Sequence, residues 1–239
     1  MIEGYGQFRD RHDAGRQLAE RLRHLKDEDV IVYALPRGGV EVGYEVARAL
    51  GAPLGVVITR KIGHPMNPEF AICAVTESGE RICNDEIVAR VDPEWLRQAT
   101  EAEQAEARRR REHYAPHTPE LSPKGRVVVL VDDGIATGLT MKAAVRGLRA
   151  AGPKRLIVAV PTAPADTVAE LKKDADEVIV LAGTEGFLGA VGAYYQSFPQ
   201  TPDETVVELL DRARRAWEEA RQAPARDSPP AGGGGEGQG

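Results

Sequence analysis

The sequence predicts an α/β fold built on a doubly wound parallel sheet with a helical insertion. Short runs of β-branched, apolar residues recur along the chain, and most lack the alternation of apolar and polar residues that a half-exposed strand shows. Amphipathic segments with helical periodicity separate several of these runs. Such βαβ alternation is typical of parallel strands buried between two layers of helices.

Six apolar runs are predicted to form the strands of this sheet. In chain order they cover residues 30–35, 54–59, 70–75, 126–131, 155–160 and 177–182. Helices are predicted where apolar residues recur every three or four positions. They cover residues 10–25, 40–51, 93–114, 139–152, 164–175 and 203–222.

The segment from about 77 to 124 is too long for a simple crossover between two strands. Within it, ESGERICNDE has the pattern of a turn followed by a short strand, and residues 93–114 have the pattern of an exposed helix. We expect this segment to be an insertion near the functional edge of the sheet.

Composition limits the partners that the chain is expected to have. Its 31 basic and 37 acidic residues give a net charge of −6, which offers no electrostatic footprint for DNA. No run of about 18 apolar residues occurs, and the N-terminal stretch lacks the layout of a signal peptide. We therefore expect a cytoplasmic protein with no membrane partner. Cys73 and Cys83 are too few for a disulfide scaffold and are expected to be reduced thiols.

Ligands of a doubly wound sheet bind beyond the carboxyl ends of its strands, and two such ends carry basic residues. The first predicted strand runs into Arg37, Gly38 and Gly39, where glycines let backbone N–H groups approach an anion and the arginine adds a charged donor. The second runs into Arg60 and Lys61. Each feature also has an ordinary structural explanation, since a Gly-Gly pair is commonly a tight turn and basic residues at a strand end are often only solvated.

A third strand end, in VVVLVDDGIATGLT, places Asp132 and Asp133 directly after a buried strand. Two adjacent carboxylates repel each other and lose hydration there, which is costly unless a partner binds them. Metal ions and ribose hydroxyls are such partners. The loop that follows supplies small residues, the hydroxyls of Thr137 and Thr140, and a helix N-terminus, which together suit a phosphate group. The string GGVEVG does not match the dinucleotide fingerprint, and no acidic residue ends the second strand.

VVVLVDDGIATGLT resembles the phosphoribosyl-pyrophosphate (PRPP) signature of type I phosphoribosyltransferases. ALPRGG resembles the pyrophosphate loop of that family, and TRKIGHPMNPE the basic turn after its second strand. The order of the three segments implies a Rossmann-like phosphoribosyltransferase core over residues 30–182. The resemblance further implies a small hood, for which residues 1–29 and 183–222 are the candidates.

The resemblance implies a role for each matched residue. Asp132 and Asp133 would hold the ribose 2′ and 3′ hydroxyls, and Arg37, Gly38 and Gly39 would meet the pyrophosphate with Arg60 and Lys61 nearby. Gly134 departs from the bulkier apolar residue that is common in the family, and a more pliable loop is expected. The 5′-phosphate would be wrapped by Ile135, Ala136, Thr137, Gly138, Leu139 and Thr140.

The implied activity is transfer of ribose 5-phosphate from PRPP to a nitrogen base, with release of pyrophosphate and with Mg²⁺ bound chiefly through PRPP. The acceptor is not identified by the sequence, and a purine is slightly favoured because TRKIGHP is more similar to the adenine-type turn than to the orotate type. Four hood aromatics, Phe187, Tyr194, Tyr195 and Phe198, either stack on a base or pack among themselves, and packing is the commoner role. The sequence leaves open whether the chain forms a homo-oligomer.

Two other functions fit part of the sequence. A PRPP- or nucleotide-sensing regulator would keep the fold and bind RNA or a protein partner, with Arg108 to Arg111 as its only basic run. That run is typical of a solvated helix face and also lies where it could close over pyrophosphate. A phospho-acceptor receiver domain is disfavoured because ALPRGG stands where its acidic pair after the first strand belongs.

The tail 223–239 is rich in proline and glycine and has no apolar residue larger than those two and alanine, so we expect it to be disordered. Truncation after Gln222 should therefore leave the thermal unfolding temperature unchanged, as measured by circular dichroism on the full and shortened chains. A lower unfolding temperature for the shortened chain would contradict this prediction.

Overall fold

The computed structural model describes residues 5–222, so the predicted disordered tail lies outside the described residues. The strands are β1 (Val30–Ala34), β2 (Leu54–Val56), β3 (Thr59–His64), β4 (Asn67–Thr76), β5 (Arg81–Cys83), β6 (Val127–Val131), β7 (Arg155–Thr162) and β8 (Glu177–Ala182). The helices are α1 (Arg11–Arg21), α2 (Gly38–Leu50), α3 (Asp85–Val88), α4 (Pro93–Tyr114), α5 (Leu139–Ala150), α6 (Ala165–Leu171) and α7 (Asp203–Gln222).

Five parallel strands form the central sheet in the order β2-β1-β6-β7-β8. Successive side chains of a strand point to opposite faces, and both faces are covered here. Helices α1, α2 and α7 pack on one face, and α5 and α6 pack on the other. Burial on both sides explains why these strands are apolar without alternation. The predicted doubly wound α/β fold is confirmed.

The sheet order reverses between β1 and β6, because the chain first steps from β1 outward to β2 and later returns to build β6, β7 and β8 on the other side. Ala34 and Val131, the last residues of β1 and β6, are paired in register. The loops that follow these two strands therefore leave the sheet side by side, and a ligand crevice opens at such a switch point.

The prediction of a central strand over residues 70–75 is wrong. These residues belong to β4, which runs antiparallel between β3 and β5 in a separate three-stranded sheet. One face of β4 packs with α4 and the other with α5, through Leu96 and Ala143 respectively. Burial on both faces removed the polar alternation that would have marked an antiparallel strand.

The predicted strand 54–59 is also divided differently. β2 ends at Val56, and Thr59 begins β3. Arg60 and Lys61 therefore lie in the antiparallel sheet and not at the mouth of a central strand. The apolar run was continuous in sequence, but the chain changes sheets within it.

Cys73 and Cys83 form a disulfide, so the prediction of reduced thiols is wrong. The two residues face each other in register on β4 and β5, with their Cα atoms 4.0 Å apart. Sequence reasoning missed the pairing because it placed residue 73 in the central sheet and residue 83 in the insertion.

Within residues 5–222, no helix combines the length and apolar character that a membrane crossing requires.

Reduction of the Cys73–Cys83 disulfide should lower the free energy of unfolding by about 2–3 kcal/mol, the value expected when a closed loop of this size is released in the unfolded chain. Urea denaturation with and without a phosphine reductant measures the change. The double variant C73A/C83A serves as the control, since its curve should not respond to reductant. An unchanged midpoint for the native chain would contradict the prediction.

Candidate functional site

Asp132 and Asp133 directly follow β6 at the switch point of the sheet. The carboxylate of Asp132 turns back on the chain, and its Oδ1 accepts the backbone N–H of Asp133 at 2.8 Å. The side chain of Asp133 is only 17% exposed. The structure therefore holds the two acidic groups next to each other in a largely desolvated position.

The loop after β1 lies directly against this pair. At Gly39, an added Cβ would sit 2.9 Å from Asp132 Oδ1, and at Gly38 it would overlap the Asp133 carboxylate and approach Arg11 Nε to 2.7 Å. Only residues without a side chain allow this approach, and both belong to the first turn of α2. The N–H groups of that turn and its partial positive charge therefore lie beside the acidic pair.

Arg11 is a site residue that the sequence analysis missed. Its Nε donates to Asp133 Oδ2 at 2.7 Å and its Nη1 to the Pro199 carbonyl at 2.6 Å, while its guanidinium lies 3.8 Å from the centre of the Phe198 ring. The residue is only 6% exposed. A signal was present, because Arg11 occupies the same helical stripe as the buried Ala14, Gly15 and Leu18.

Burial raises the pKa of both aspartates. For Asp132 the rise is large, because the charge of Asp133 adds to the loss of hydration. For Asp133 the hydrogen bond and charge of Arg11 oppose the rise. Asp132 is thus the less compensated of the two charges, and a cation or a pair of hydroxyl donors would stabilise it.

The two basic residues of β3 differ in their partners. Arg60 donates from Nε to Glu103 of α4 at 2.8 Å and is held away from the acidic pair. Lys61 is exposed, and its positive charge lowers the pKa of Asp132 without a direct contact. Of the two, the structure brings only the charge of Lys61 to bear on the site.

The residues from 134 to 140 form the loop between β6 and α5. Ile135 is buried and donates its N–H to the Thr162 carbonyl at 2.8 Å, which fixes the base of the loop to β7. Ala136 and Thr137 are exposed, and Gly138 lies at the N-cap position of α5 with no side-chain cap, followed by the half-buried Leu139 and Thr140. The first N–H groups of α5 are left to an external acceptor, which suits a phosphate.

Gly134 is tightly packed, contrary to the expectation of a more pliable loop. An added Cβ would lie 2.5 Å from Val191 and 2.8 Å from Thr162. The space that a bulkier residue would need at position 134 is occupied by the Val191 side chain. The departure from the family pattern is therefore compensated by a hood residue.

The hood aromatics pack among themselves, as the sequence analysis favoured. Tyr194 and Tyr195 are buried, and each stacks on a phenylalanine, Phe187 and Phe198 respectively. The Tyr195 hydroxyl donates to the Asp133 carbonyl at 2.6 Å. Backbone bonds also join residues 6–9 to residues 193–197, so the N-terminal segment and the segment after β8 meet next to the acidic pair.

A cavity of about 290 Å³ opens beyond the carboxyl end of β8. Behind it, the Thr162 hydroxyl is buried and has no hydrogen-bond partner within residues 5–222. A Cβ added at Gly183 would lie 2.6 Å from this oxygen. Polar loop atoms and one aromatic ring of this kind suit a small polar ligand. The lining residues include Gln7, Gly183, Thr184, Glu185, Gly186 and Tyr194.

Comparison with known proteins places the chain in a family. A family model described as the phosphoribosyl transferase domain matches residues 5–196. Two Mycobacterium tuberculosis proteins, from strains CDC 1551 and H37Rv, are provisionally named phosphoribosyl transferases, and each is 45% identical to this chain over 225 residues. The match covers 93% of this chain and 51% of each relative, so the chain spans about half the length of these curated relatives.

One solved structure is similar to this chain in both sequence and fold. The crystal structure of TT1426 from Thermus thermophilus is 45% identical in sequence and superposes with a TM-score of 0.73. The match covers 86% of this chain and 98% of that chain.

Asp132→Asn is expected to stabilise the ligand-free protein at neutral pH. Because the pKa of Asp132 is raised, this carboxyl group holds its proton more tightly in the folded protein than in the unfolded chain. The stability of the native protein is therefore greatest below the unfolded pKa of about 3.9, and it falls as the pH rises through the folded pKa. Asparagine carries no charge, and its advantage should be largest near pH 7 and shrink toward pH 4. Thermal unfolding across this range measures it, at about 2–4 °C for each kcal/mol.

The matched control is Asp133→Asn, which should not give the same gain because it removes the partner of the buried Arg11. Equal gains from the two variants, or a gain from Asp132→Asn that does not change with pH, would contradict the assignment of Asp132 as the uncompensated charge.

Proposed function

The chain belongs to the phosphoribosyl transferase family, and from this premise we propose that it transfers the ribose 5-phosphate of PRPP to a nitrogen base and releases pyrophosphate. One observation carries the proposal. The half-buried acidic pair that follows β6 lies between the start of α2 and the loop that leads into α5. A ligand with a diol in its centre and a phosphate at each end has the same order of groups.

In this proposal Asp132 and Asp133 accept hydrogen bonds from the ribose 2′ and 3′ hydroxyls. Asp133 is held by Arg11, and Asp132 has the larger need of a donor or cation. The loop from Gly134 to Thr140 binds the 5′-phosphate through the free N–H groups at the start of α5 and the two threonine hydroxyls. The sugar would thus be fixed on one side by the acidic pair and on the other by backbone donors.

Arg37, Gly38 and Gly39 are the proposed pyrophosphate donors. Positive charge in the first turn of α2 and on Arg37 stabilises the negative charge that develops on the leaving group. Lys61 adds a cation from β3, and we propose no direct contact for Arg60, because Glu103 already engages it. The protein needs no covalent step here, since positioning and charge stabilisation account for the displacement at the anomeric carbon.

Mg²⁺ is proposed as a cofactor bound chiefly through PRPP. Within residues 5–222, no group of three or more histidine, cysteine or acidic side chains is placed to hold a metal ion. The acidic pair fits a role beside the metal, because Asp132 is half-buried and is the less compensated of the two charges, and carboxylate oxygens are the ligands that Mg²⁺ prefers. When bound, the ion would neutralise part of the pyrophosphate charge.

We propose the cavity beyond β8 as the acceptor site. Thr162, whose hydroxyl lacks a partner beside that cavity, also contacts Gly134 at the start of the phosphate loop, so an acceptor bound there would lie near the sugar. The cavity of about 290 Å³ has room for a nitrogen base, and its loops offer backbone donors and acceptors to the edge of the ring. Purines are the first acceptors to test, since the basic turn of β3 favours them slightly.

Calorimetry of PRPP binding in the presence of Mg²⁺ tests the donor half of the proposal. The native protein should bind PRPP more tightly than ribose 5-phosphate. The variant D132N/D133N should weaken PRPP binding by at least about tenfold, because it removes two charged hydrogen-bond acceptors. The control variant D27N changes an exposed residue just before β1, at the amino ends of the strands, and it should bind PRPP normally. Unchanged affinity in D132N/D133N would remove the sugar-binding role.

Release of pyrophosphate with a panel of purines, pyrimidines and simple amines tests the acceptor half of the same proposal. At least one acceptor should raise the rate above that of buffer. If PRPP binds and no acceptor does so, the transferase proposal fails and a PRPP-sensing regulator becomes the better account.

A further inference from the structure

A pocket of about 280 Å³ lies beside the loop that follows β1, between the C-terminal half of α4 and the start of α7. It is lined by Arg37, Arg109, Arg110, His113, Tyr114 and Asp203. Three of the six are arginines, and they come from two segments that lie far apart in the chain. A pocket with this charge attracts anions.

The negative charge in and around the pocket is already engaged. Asp203 accepts a hydrogen bond from the Tyr114 hydroxyl and lies 2.7 Å from His113 Nε2, and these contacts lower its pKa. Glu106 on the neighbouring turn is shared between Arg109 and Arg110, at 2.8 Å and 3.1 Å. Two carboxylates thus face three guanidinium groups.

Donors remain free for a ligand. Arg37 is half-buried, and within residues 5–222 no carboxylate or carbonyl engages its side chain. Arg110 uses only Nε for Glu106, so its two terminal nitrogens make no bond in the described part of the chain. The forks of Arg37 and Arg110 are open and suited to bidentate binding of phosphate oxygens. Arg109 gives Nε and Nη2 to Glu106, at 2.8 Å and 2.9 Å, and keeps Nη1 for a ligand.

The position of Arg37 decides what the pocket would bind. This residue immediately precedes Gly38, which packs on Asp133, so the pocket is continuous with the loop proposed to meet pyrophosphate. The volume equals that of roughly nine waters, which leaves room for a hydrated diphosphate group.

We propose that Arg109 and Arg110 of α4, together with Arg37, bind a diphosphate group and complete the pyrophosphate end of the donor site. This inference rests on the proposed function and adds to it the C-terminal half of α4. The arginine run that sequence patterns assign to a solvated face would then have a ligand-binding role at two of its four positions. Arg108 and Arg111 are engaged elsewhere, by the Glu77 carbonyl and by Thr118.

The variant R109Q/R110Q tests the inference with three calorimetric probes: inorganic pyrophosphate, PRPP and ribose 5-phosphate. Affinity for pyrophosphate and PRPP should each fall about tenfold or more, because charged hydrogen bonds are lost, whereas affinity for ribose 5-phosphate should stay within about twofold. The control R97Q/R146Q removes two exposed arginines that are paired with carboxylates elsewhere, and it should leave all three affinities unchanged.

Native affinity of R109Q/R110Q for pyrophosphate and PRPP would overturn the inference, while loss of PRPP binding in D132N/D133N would leave the proposed function intact. Simultaneous binding of pyrophosphate and PRPP would also overturn it, because the pocket would then be a separate site for a diphosphate effector. A native protein that binds pyrophosphate through these arginines but does not bind PRPP would support the pocket and contradict the proposed function.

Discussion

The surrounding structure depends on two half-buried carboxylates that lie side by side directly after β6. Their repulsion and lost hydration have to be offset by groups that the fold brings from elsewhere. α1 supplies Arg11, α2 supplies its first turn across Gly38 and Gly39, and the hood supplies the Tyr195 hydroxyl to the adjoining backbone. Each of these contacts is long-range in sequence, so the acidic pair links the N-terminal helix, the core and the hood.

The compensation of the two charges is unequal, and this inequality would favour the ligand binding proposed above. Asp133 is hydrogen-bonded to a buried cation, whereas Asp132 has a backbone N–H, the nearby helix and the more distant charges of Arg11 and Lys61. The folded protein therefore carries an electrostatic cost at Asp132 that a ligand with hydroxyls or a cation relieves. Sites of this kind trade stability of the free protein for affinity, a trade that is common where function needs an unsatisfied group.

The sequence predicted features that are local and missed those that depend on tertiary placement. The strand, acidic pair and loop of VVVLVDDGIATGLT are contiguous, and the central strands and both terminal helices follow from hydrophobic patterns. Strand β4 was misassigned because burial on both faces gives the same pattern in a parallel and an antiparallel strand. The disulfide was missed for the same reason, because it depends on the register between β4 and β5. The Arg11–Asp133 pair joins residues 122 positions apart, and its only sequence signal was a charged residue on an apolar stripe of α1.

The contact between Gly134 and Val191 couples two regions that would otherwise diverge independently. Residue 134 belongs to the proposed donor loop and residue 191 to the hood, and their combined volume fills one space with no margin for a further methyl group. A hood exchanged from a relative would have to keep a side chain no larger than valine at this position, because Gly134 has a φ of +155° and Thr162 on its other side and cannot take a side chain in exchange. The two segments therefore have to be transplanted together if either is exchanged for that of a relative.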